Sequence, residues 1–352
     1  MTKLGRIAFA VLASVGLVVA LAACGKAGSS QGSASSSGTG PTTTATAIPA
    51  KAESGTFQMG IEPWLGYGPW QVAKQKGFFT ANGINVNISN FTTDDQINAA
   101  LASGKLDGAN IATHTMLRLA AAGLPITAVL LEDESETADA VLAGPGINSI
   151  KDLKGKKVAY EEGTTSDILL HHALAANGMT INDIKKVPIP AADAGAAAIA
   201  GKVDAAVTYE PYLTAALQKS KSFRLIYSAS QDPGLVGDVF VVRNDVLKSK
   251  PGQIAALLKS WGQSVAYYRS NTADAQAIIT KAVGAKPGDL TTAFKGVKIY
   301  SLPDNVAQFT GAYLNKTILD VLQAAKQAGL IKGNVNPGSL IDSAFVTHLA
   351  KR

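Results

Sequence analysis

Cysteine, aromatic residues and clustered basic residues are all scarce in this chain of 352 residues. The single cysteine, Cys24, excludes an internal disulfide framework and any cysteine-based metal site. Basic residues stand singly or in pairs such as Lys156-Lys157, without interleaved aromatic residues, which predicts a solvated surface and no nucleic-acid partner. The chain has no G-x-S-x-G elbow and no phosphate loop, and His171-His172 lacks metal-site spacing. These absences argue against an enzyme, a bound metal and a cofactor.

The composition that remains is that of a globular protein with a substantial buried sheet. Hydrophobic residues make up 47% of the chain and charged residues 16%. The length exceeds what one hydrophobic core usually serves, so two compact units are expected.

The first 54 residues have a different composition. Lys3 and Arg6 precede an apolar run from Ile7 to about Ala20, which is followed by Leu21-Ala22-Ala23-Cys24. This pattern resembles a bacterial lipoprotein signal, which implies that residues 1–23 are removed and that Cys24 is acylated. An uncleaved anchor helix is the alternative, and either places the remainder outside the cytoplasmic membrane. Residues 24–54 are rich in Gly, Ser and Thr and predict a disordered tether.

A repeated segment organises the rest of the chain. G-K-L-D-G-A-N-I-A-T at 104–113 is echoed by G-K-V-D-A-A-V-T-Y-E-P at 201–211, and an Asn-Gly turn precedes each copy. Each copy predicts a short buried strand that ends at polar residues. Since open α/β sheets bind ligands at the carboxyl ends of their strands, the two copies predict a cleft between two similar α/β units.

Glycine- and proline-rich breaks mark where the chain is expected to cross between the units. Gly144-Pro145-Gly146 and the segment 231–238 are the two strongest. We therefore expect lobe I to comprise 55–143 plus 240–352 and lobe II to comprise 144–239. The acidic stretch 132–136 is interpreted as a loop after a strand at 126–131, and the pattern beyond residue 245 is helical.

Six segments carry a family resemblance. They are the lipobox, G-Y-G-P-W-Q-V-A-K-Q-K-G-F-F at 66–79, A-L-A-S-G-K-L-D-G-A at 100–109, S-E-T-A-D-A-V-L-A at 135–143, I-K-D-L-K-G-K-K-V-A at 150–159 and G-K-V-D-A-A-V-T-Y-E-P-Y at 201–212. Together they resemble the extracytoplasmic solute-binding proteins of ABC importers that bind nitrate, aliphatic sulfonates, taurine or thiamine precursors. The resemblance implies an α/β fold of the two-lobed periplasmic-binding-protein type (type II), with two hinge crossovers and a ligand held between the lobes.

Candidate ligand-binding residues lie at the predicted strand ends and helix starts, where polar groups and an aromatic wall could converge. Ordinary helix capping is the alternative role for the hydroxyls of the 163–166 turn, and a structural role is the alternative for the histidine. The candidates are Trp64, Gly66, Tyr67, Gly68, Thr113, His114, Asp139, Glu162, Gly163, Thr164, Thr165, Ser166, Tyr209 and Glu210. Trp70 is assigned to packing under the first helix.

The charge at this predicted mouth bears on the ligand. Glu62, Asp133, Asp139, Glu162 and Glu210 are all acidic, and no Lys or Arg ends a predicted strand in either repeat. Burying a bare anion there would cost several kcal/mol, so an amine-bearing or zwitterionic solute fits better.

The sequence therefore predicts a monomeric, lipid-anchored solute-binding protein that delivers a small polar solute to an ABC permease and its ATPase. A binder of a thiamine-precursor-like pyrimidine or of nitrate remains open. A ligand-sensing ectodomain that works with a separate membrane partner remains open as well. Catalysis is not expected, although the fold resembles that of pyrimidine-precursor synthases.

Overall fold

A computed structural model describes residues 48–351, which fold into two β-sheets flanked by helices. The predicted signal segment, the acylated Cys24 and most of the predicted tether lie outside the described residues. The strands are β1 Thr56–Ile61, β2 Asn85–Asn90, β3 Gly108–Ala112, β4 Ile126–Ser135, β5 Asp139–Ala143, β6 Lys157–Tyr160, β7 Lys185–Pro188, β8 Ala205–Tyr209, β9 Arg224–Ser228, β10 Gly237–Arg243 and β11 Val297–Ile299.

The first sheet has the strand order β11-β4-β10-β3-β1-β2, and the second has the order β7-β6-β8-β5-β9. The helices that cover them are α1 Gly68–Gln75, α2 Phe78–Ala81, α3 Asp94–Ala102, α4 Thr113–Ala121, α5 Thr165–Ala176, α6 Ala191–Ile199, α7 Tyr212–Lys219, α8 Asn244–Ser249, α9 Pro251–Ser270, α10 Thr272–Ala282, α11 Leu302–Thr310, α12 Ile318–Gln327 and α13 Ala344–Ala350. The predicted two-part α/β fold is confirmed.

The repeated segments form the central strands of the two sheets. β3 runs parallel to β1 and antiparallel to β10, and β8 runs parallel to β6 and antiparallel to β5. All five residues of β3 and four of the five in β8 are buried. Small residues suit these positions: a Cβ on Gly108 would meet the backbone oxygen of Val241 at 2.7 Å. The repeat thus reflects two sheets built to one plan.

The acidic stretch 132–136 is not the loop that the sequence predicts. β4 continues to Ser135, because its last residues pair with both β10 and β11. Glu132 and Asp133 are fully buried as a result. These carboxylates belong to the interior of the first sheet.

The chain passes between the sheets earlier than the glycine-rich break at 144–146. β5 lies in the second sheet, so the first passage is at residues 136–138. The return lies between β9 and β10, at residues 229–236, which overlaps the expected break at 231–238. The apolar composition of β5 alone does not show whether it is the last strand of the first sheet or the first strand of the second.

Aromatic side chains fill the interior of the first sheet. Trp70 is fully buried and packs with ring centroids 4.8 Å from Trp261 and 5.3 Å from Phe240. The indole of Trp261 donates a hydrogen bond to the backbone oxygen of Tyr300 at 2.9 Å. Both tryptophans are structural, as the sequence predicts.

The last residues of the predicted tether, 51–54, contact the folded part of the protein. Glu53 accepts hydrogen bonds from the backbone amides of Gly252 (3.0 Å) and Gln253 (2.8 Å), at the amino terminus of α9. A carboxylate is favourable there because it satisfies free amides and complements the helix dipole. Residues 51–54 are therefore attached to the first sheet's helices. Within 48–351, no helix has the length and apolar character needed to cross a membrane.

Candidate functional site

A cavity lies between the two sheets, at the edge where β1, β3, β6 and β8 end. β10 and β5 run antiparallel to their neighbours, so their first residues, Gly237 and Asp139, reach the same edge. The cavity comprises about 570 Å³ of space between atoms, part of which is open solvent. Its lining comprises Glu62, Trp64, Tyr67, Asp94, Asn110, Ile111, Ala112, Asp139, Glu161, Thr164, Thr165, Ser166, Ala191, Tyr209, Val236 and Asp238.

Three aromatic side chains line the cavity. Trp64 and Tyr67 follow β1, and Tyr209 ends β8 in the second sheet. The rings of Trp64 and Tyr209 meet edge to face at 6.0 Å, which joins the two halves of the protein. The Trp64 indole donates a hydrogen bond to Asp133 Oδ1 at 3.1 Å, so its orientation is fixed from behind.

The turn before α5 contributes Thr164, Thr165 and Ser166 to the lining. Thr164 is the N-cap, and its hydroxyl accepts a hydrogen bond from the Ser166 amide at 3.3 Å. The hydroxyls of Thr164 and Ser166 also donate to the backbone oxygen of Glu161. The expected helix capping and a position on the cavity are therefore combined in the same residues.

Five carboxyl groups line the cavity: Glu62, Asp94, Asp139, Glu161 and Asp238. The lining contains no lysine, arginine or histidine. Glu62 and Asp94 hydrogen-bond each other, which requires a proton between them. Among residues 48–351, no three His, Cys, Asp or Glu side chains are grouped to hold a metal ion.

Burial raises the pKa of these acids. It is the largest cause for Glu62, whose pKa rises to about 10, and for Asp94, whose pKa rises to about 7; the charge of Glu161 adds to both. Burial also raises the pKa of Asp139 to about 7 and holds that of Asp238 well above its usual range. The empty cavity therefore holds several protonated carboxyls at neutral pH.

Two further buried carboxyls lie behind the lining. Glu132 accepts a hydrogen bond from the Trp70 indole at 2.6 Å, and Asp133 accepts one from Trp64. Asp133 also hydrogen-bonds Asp238, and burial raises the pKa values of Glu132 and Asp133 well above their usual range. Buried carboxyls with raised pKa values thus extend from the cavity lining into the interior of the first sheet.

Seven of the fourteen sequence candidates line the cavity, and the other seven do not: Gly66, Gly68, Thr113, His114, Glu162, Gly163 and Glu210. Glu162 is exposed and bonds the Tyr160 hydroxyl at 3.2 Å. Glu210 caps the start of α7 by accepting from the amide and hydroxyl of Thr214. The carboxylate that turns inward is Glu161, which accepts from the Ala191 amide at 2.9 Å.

Thr113 and His114 lie behind the cavity wall. Thr113 donates to the backbone oxygen of Gly237 and shares a hydrogen bond with the Tyr313 hydroxyl, each at 2.9 Å. His114 is buried, its Nε2 lies 3.4 Å from the Thr115 hydroxyl, and it is close to the backbone of Gly163 in the other half of the protein. Burial and the nearby charge of Arg118 lower the pKa of His114 to about 3, which keeps the imidazole neutral.

The sequence candidates omit Glu62, Asp94, Glu161 and Asp238. The sequence places Glu62 only in an acidic mouth. Asp238 stood inside the expected glycine-rich crossing, although it follows Gly237 on β10. The signal that could have found Asp238 is its equivalence to Asp139, because each acid begins the antiparallel strand beside a repeated central strand.

Gly66 and Gly68 serve close packing. A Cβ on Gly66 would overlap the Asp133 carboxyl and the Trp64 indole nitrogen, and one on Gly68 would overlap the Ile279 side chain. Gly66→Ala is therefore expected to displace Trp64, weaken solute binding and cost about 1–3 kcal/mol of stability. Thermal unfolding would measure the loss of stability, and Trp fluorescence would report the displacement of Trp64. Gly163→Ala is a useful contrast, since no atom lies within 4 Å of its added Cβ, although its φ of +81° adds backbone strain. An unchanged Trp64 signal in Gly66→Ala would contradict this packing role.

Comparison with known proteins agrees with this architecture. The taurine-binding periplasmic protein of Escherichia coli is 26% identical over 290 residues, which cover 79% of this chain and 89% of that protein. The alkanesulfonate-binding protein SsuA of Xanthomonas axonopodis pv. citri, bound to MOPS, superposes with a TM-score of 0.70 at 20% identity, over 84% of this chain and 99% of SsuA. The periplasmic nitrate-binding protein NrtA of Synechocystis gives 0.71 at 16% identity, over 86% and 89%.

These relatives are binding proteins rather than enzymes, and those named periplasmic act outside the cytoplasm. The fold is therefore that of the periplasmic binding proteins, as the sequence predicts. A family model described as NMT1/THI5 like matches residues 66–275, which is more than half of the chain. The chain belongs to the NMT1/THI5-like family.

Proposed function

We propose that this protein is the lipid-anchored solute-binding component of an ABC importer, and that it traps a small amine-bearing solute between its two sheets for delivery to the permease. The observation that carries the choice of solute is the lining: it includes five carboxyl groups and no basic side chain. An ammonium group can pair with these carboxylates, which offsets the cost of burying them.

A bare anion fits this lining poorly. Nitrate or a simple sulfonate would enter a space lined by carboxyls, where the favourable charges are the start of α5 and the nearby Arg118, whose charge acts on Asp94. A zwitterion such as taurine meets both features, with its ammonium among the carboxyls and its acid near Thr164, Thr165 and Ser166. We therefore favour an amine-bearing zwitterion or a cation over an anion.

Capture proceeds by closure of the two sheets over the solute. Trp64 and Tyr209 approach each other across the cavity, and His114 reaches Gly163 from the opposite sheet. A solute held by both sheets stabilises the closed arrangement over the open one, by the difference in its affinity for the two. The passages at 136–138 and 229–236 supply the hinge.

The lipid on Cys24 and the tether predicted over residues 24–54 would keep the monomer near its permease without embedding it. Residues 51–54 bind the first sheet's helices through Glu53, so the tether joins that half of the protein. Globomycin-sensitive processing and labelling of Cys24 by palmitate would test the anchor. Release of an unlipidated, soluble chain would contradict it.

A second candidate solute is a thiamine-precursor-like aminopyrimidine. Its flat ring could lie against Trp64, Tyr67 or Tyr209, and its exocyclic amine could donate to a carboxylate. The taurine- and sulfonate-binding relatives favour the aliphatic zwitterion.

A thermal-shift panel separates these solutes. Taurine, small amines, ethanesulfonate, nitrate and an aminopyrimidine are compared, with small-angle scattering on each hit. We expect amines or amine-bearing zwitterions to stabilise the protein, by about 2.7 kcal/mol at a hundredfold excess over Kd, and to compact it. Stabilisation by nitrate or ethanesulfonate alone would overturn the choice of solute, and failure of every hit to compact the protein would overturn the closure mechanism.

A further inference from the structure

The carboxyl groups of the cavity have matching positions on the two sheets. In the first sheet, Glu62 follows β1 and Asp238 begins β10, with the central strand β3 between them. In the second sheet, Glu161 follows β6 and Asp139 begins β5, with the central strand β8 between them. Each sheet therefore presents one acid on either side of its central strand.

The acids also oppose each other across the cavity. Charges from both sheets act on these acids: Asp94 and Glu161 act on Glu62, and Asp133 and Asp139 act on Asp238, while Asp238 acts more weakly on Glu62. We call Glu62 with Glu161 the outer pair, and Asp238 with Asp139 the inner pair. Asp94 joins the outer pair through its hydrogen bond to Glu62.

The two pairs are separated along the sheets by the central strands. Strands lie about 4.8 Å apart, so two spacings place the strands that carry the pairs roughly 10 Å from each other. The central strands contribute Asn110, Ile111 and Ala112 from β3 and Tyr209 from β8 to the same lining, and the Asn110 amide already bonds the Trp70 indole and the Gly60 backbone oxygen. Two acidic ends thus flank a less polar middle.

From this arrangement, we propose that the cavity takes a compact diamine, with one ammonium group at the outer pair, the other at the inner pair, and the carbon chain along Ala112 and Tyr209. This inference deepens the proposed function and rests on it. A solute with a single ammonium would occupy one pair and leave two facing acids of the other pair without a cation.

Burial of the acids favours binding of a second ammonium group. Asp139 and Asp238 are each 6% exposed, so water offers them little compensation. The pKa values of Asp139 and Glu62 are raised chiefly because burial disfavours their charged forms, so these groups hold protons when no cation pairs with them. A diamine replaces that protonation at both ends at once, because each of its ammonium groups supplies both charge and hydrogen-bond donors.

The test is isothermal titration calorimetry on the full-length chain purified in detergent. Propane-, butane-, pentane- and hexanediamine are compared with the corresponding monoamines and with taurine. The variants are Glu62→Gln for the outer pair and Asp238→Asn for the inner pair, with Asp320→Asn on α12, where the carboxylate is 57% exposed, as the matched control. Amide replacements have nearly the shape of protonated carboxyls, so the fold is expected to survive, and thermal unfolding of each variant checks this.

We expect at least one diamine to bind about tenfold or more tightly than its monoamine, since each added buried charge pair is typically worth that much. Glu62→Gln and Asp238→Asn should each remove most of this preference while sparing monoamine binding, and Asp320→Asn should keep it. Equal affinity for diamine and monoamine, together with binding of taurine, would overturn the diamine inference and leave the proposed function standing. Failure of every amine to bind would overturn both.

Discussion

Binding of an amine-bearing solute weakens as the pH falls below about 7, by up to about tenfold per pH unit for each proton that binding displaces. The reason is competition between the ammonium group and protons for the same carboxyls. In the empty protein, the pKa values of Asp94 and Asp139 are about 7, because burial disfavours their charged forms. An ammonium group favours the charged forms, so it lowers these pKa values and releases protons when it binds.

The direction of the pH dependence follows from the difference between the carboxyl pKa values in the complex and in the free protein. Between the bound and the free pKa values, the free protein carries more protons than the complex, so affinity rises with pH. Above about pH 7, Asp94 and Asp139 are already ionised in the free protein, so the dependence becomes shallower, while Glu62, whose pKa is about 10, continues to release protons on binding. A bare anion would show the reverse, with tighter binding at low pH, since protonated carboxyls repel it less.

The stability of the empty protein changes in the opposite direction. The pKa of Asp139 is raised from 3.8 to about 7 on folding, so the folded state holds more protons than the unfolded state within that interval. The free energy of unfolding therefore falls as pH rises from about 4 to 7, at about 1.4 kcal/mol per pH unit for each such group. Solute should offset this loss at neutral pH.

Calorimetry in buffers of different ionisation enthalpy measures the proton count directly. We expect protons to be released at pH 6.5 and fewer at pH 8.5, and Asp139→Asn to reduce the release. Proton uptake on binding, or an affinity that does not change between these two pH values, would contradict the role assigned to the buried acids.

Trp70→Ala is expected to be the most destabilising single substitution described here, with a loss of about 3–5 kcal/mol. Trp70 is fully buried among Trp261, Phe240 and Phe79. Its truncation opens a large cavity in the first sheet. It also removes the indole donor from Glu132 and Asn110, which lie at 2.6 and 2.7 Å.

Chemical denaturation of Trp70→Ala and Trp70→Phe separates packing from hydrogen bonding. Trp70→Phe keeps most of the aromatic volume but leaves Glu132 without its donor, so an intermediate loss is expected. Leu319→Ala is the control, because its side chain is 46% exposed and little should change. Equal stability of Trp70→Ala and Leu319→Ala would contradict the place of Trp70 in the core.

The sequence predicted the plan of the fold because its signals are local and repeated. The two G-K-x-D segments share a pattern of small and apolar residues, and they form β3 and β8 at equivalent places in two sheets. The end of β4 was harder to predict from the sequence. Glu132 and Asp133 look like loop residues by composition, but pairing with β10 and β11 buries them, and those strands are more than a hundred residues away.

The site could be predicted in part for a related reason. Trp64, Tyr67 and Tyr209 follow or end predicted strands and Asp139 interrupts an apolar run, and the cavity includes all four. The choice between neighbours such as Glu161 and Glu162 depends on which side chain turns inward, and a hydrogen bond from the distant Ala191 amide favours Glu161. The sequence around Glu161 and Glu162 does not reveal such a long-range contact.

The central claim is that the buried carboxyls select an amine. The most direct measurement compares taurine with ethanesulfonate by calorimetry on the same protein, because the two differ only in the amino group. The carboxyl lining predicts that taurine binds and that ethanesulfonate binds at least about a hundredfold more weakly, the loss of about two tenfold steps in affinity. Equal or tighter binding of ethanesulfonate would contradict it.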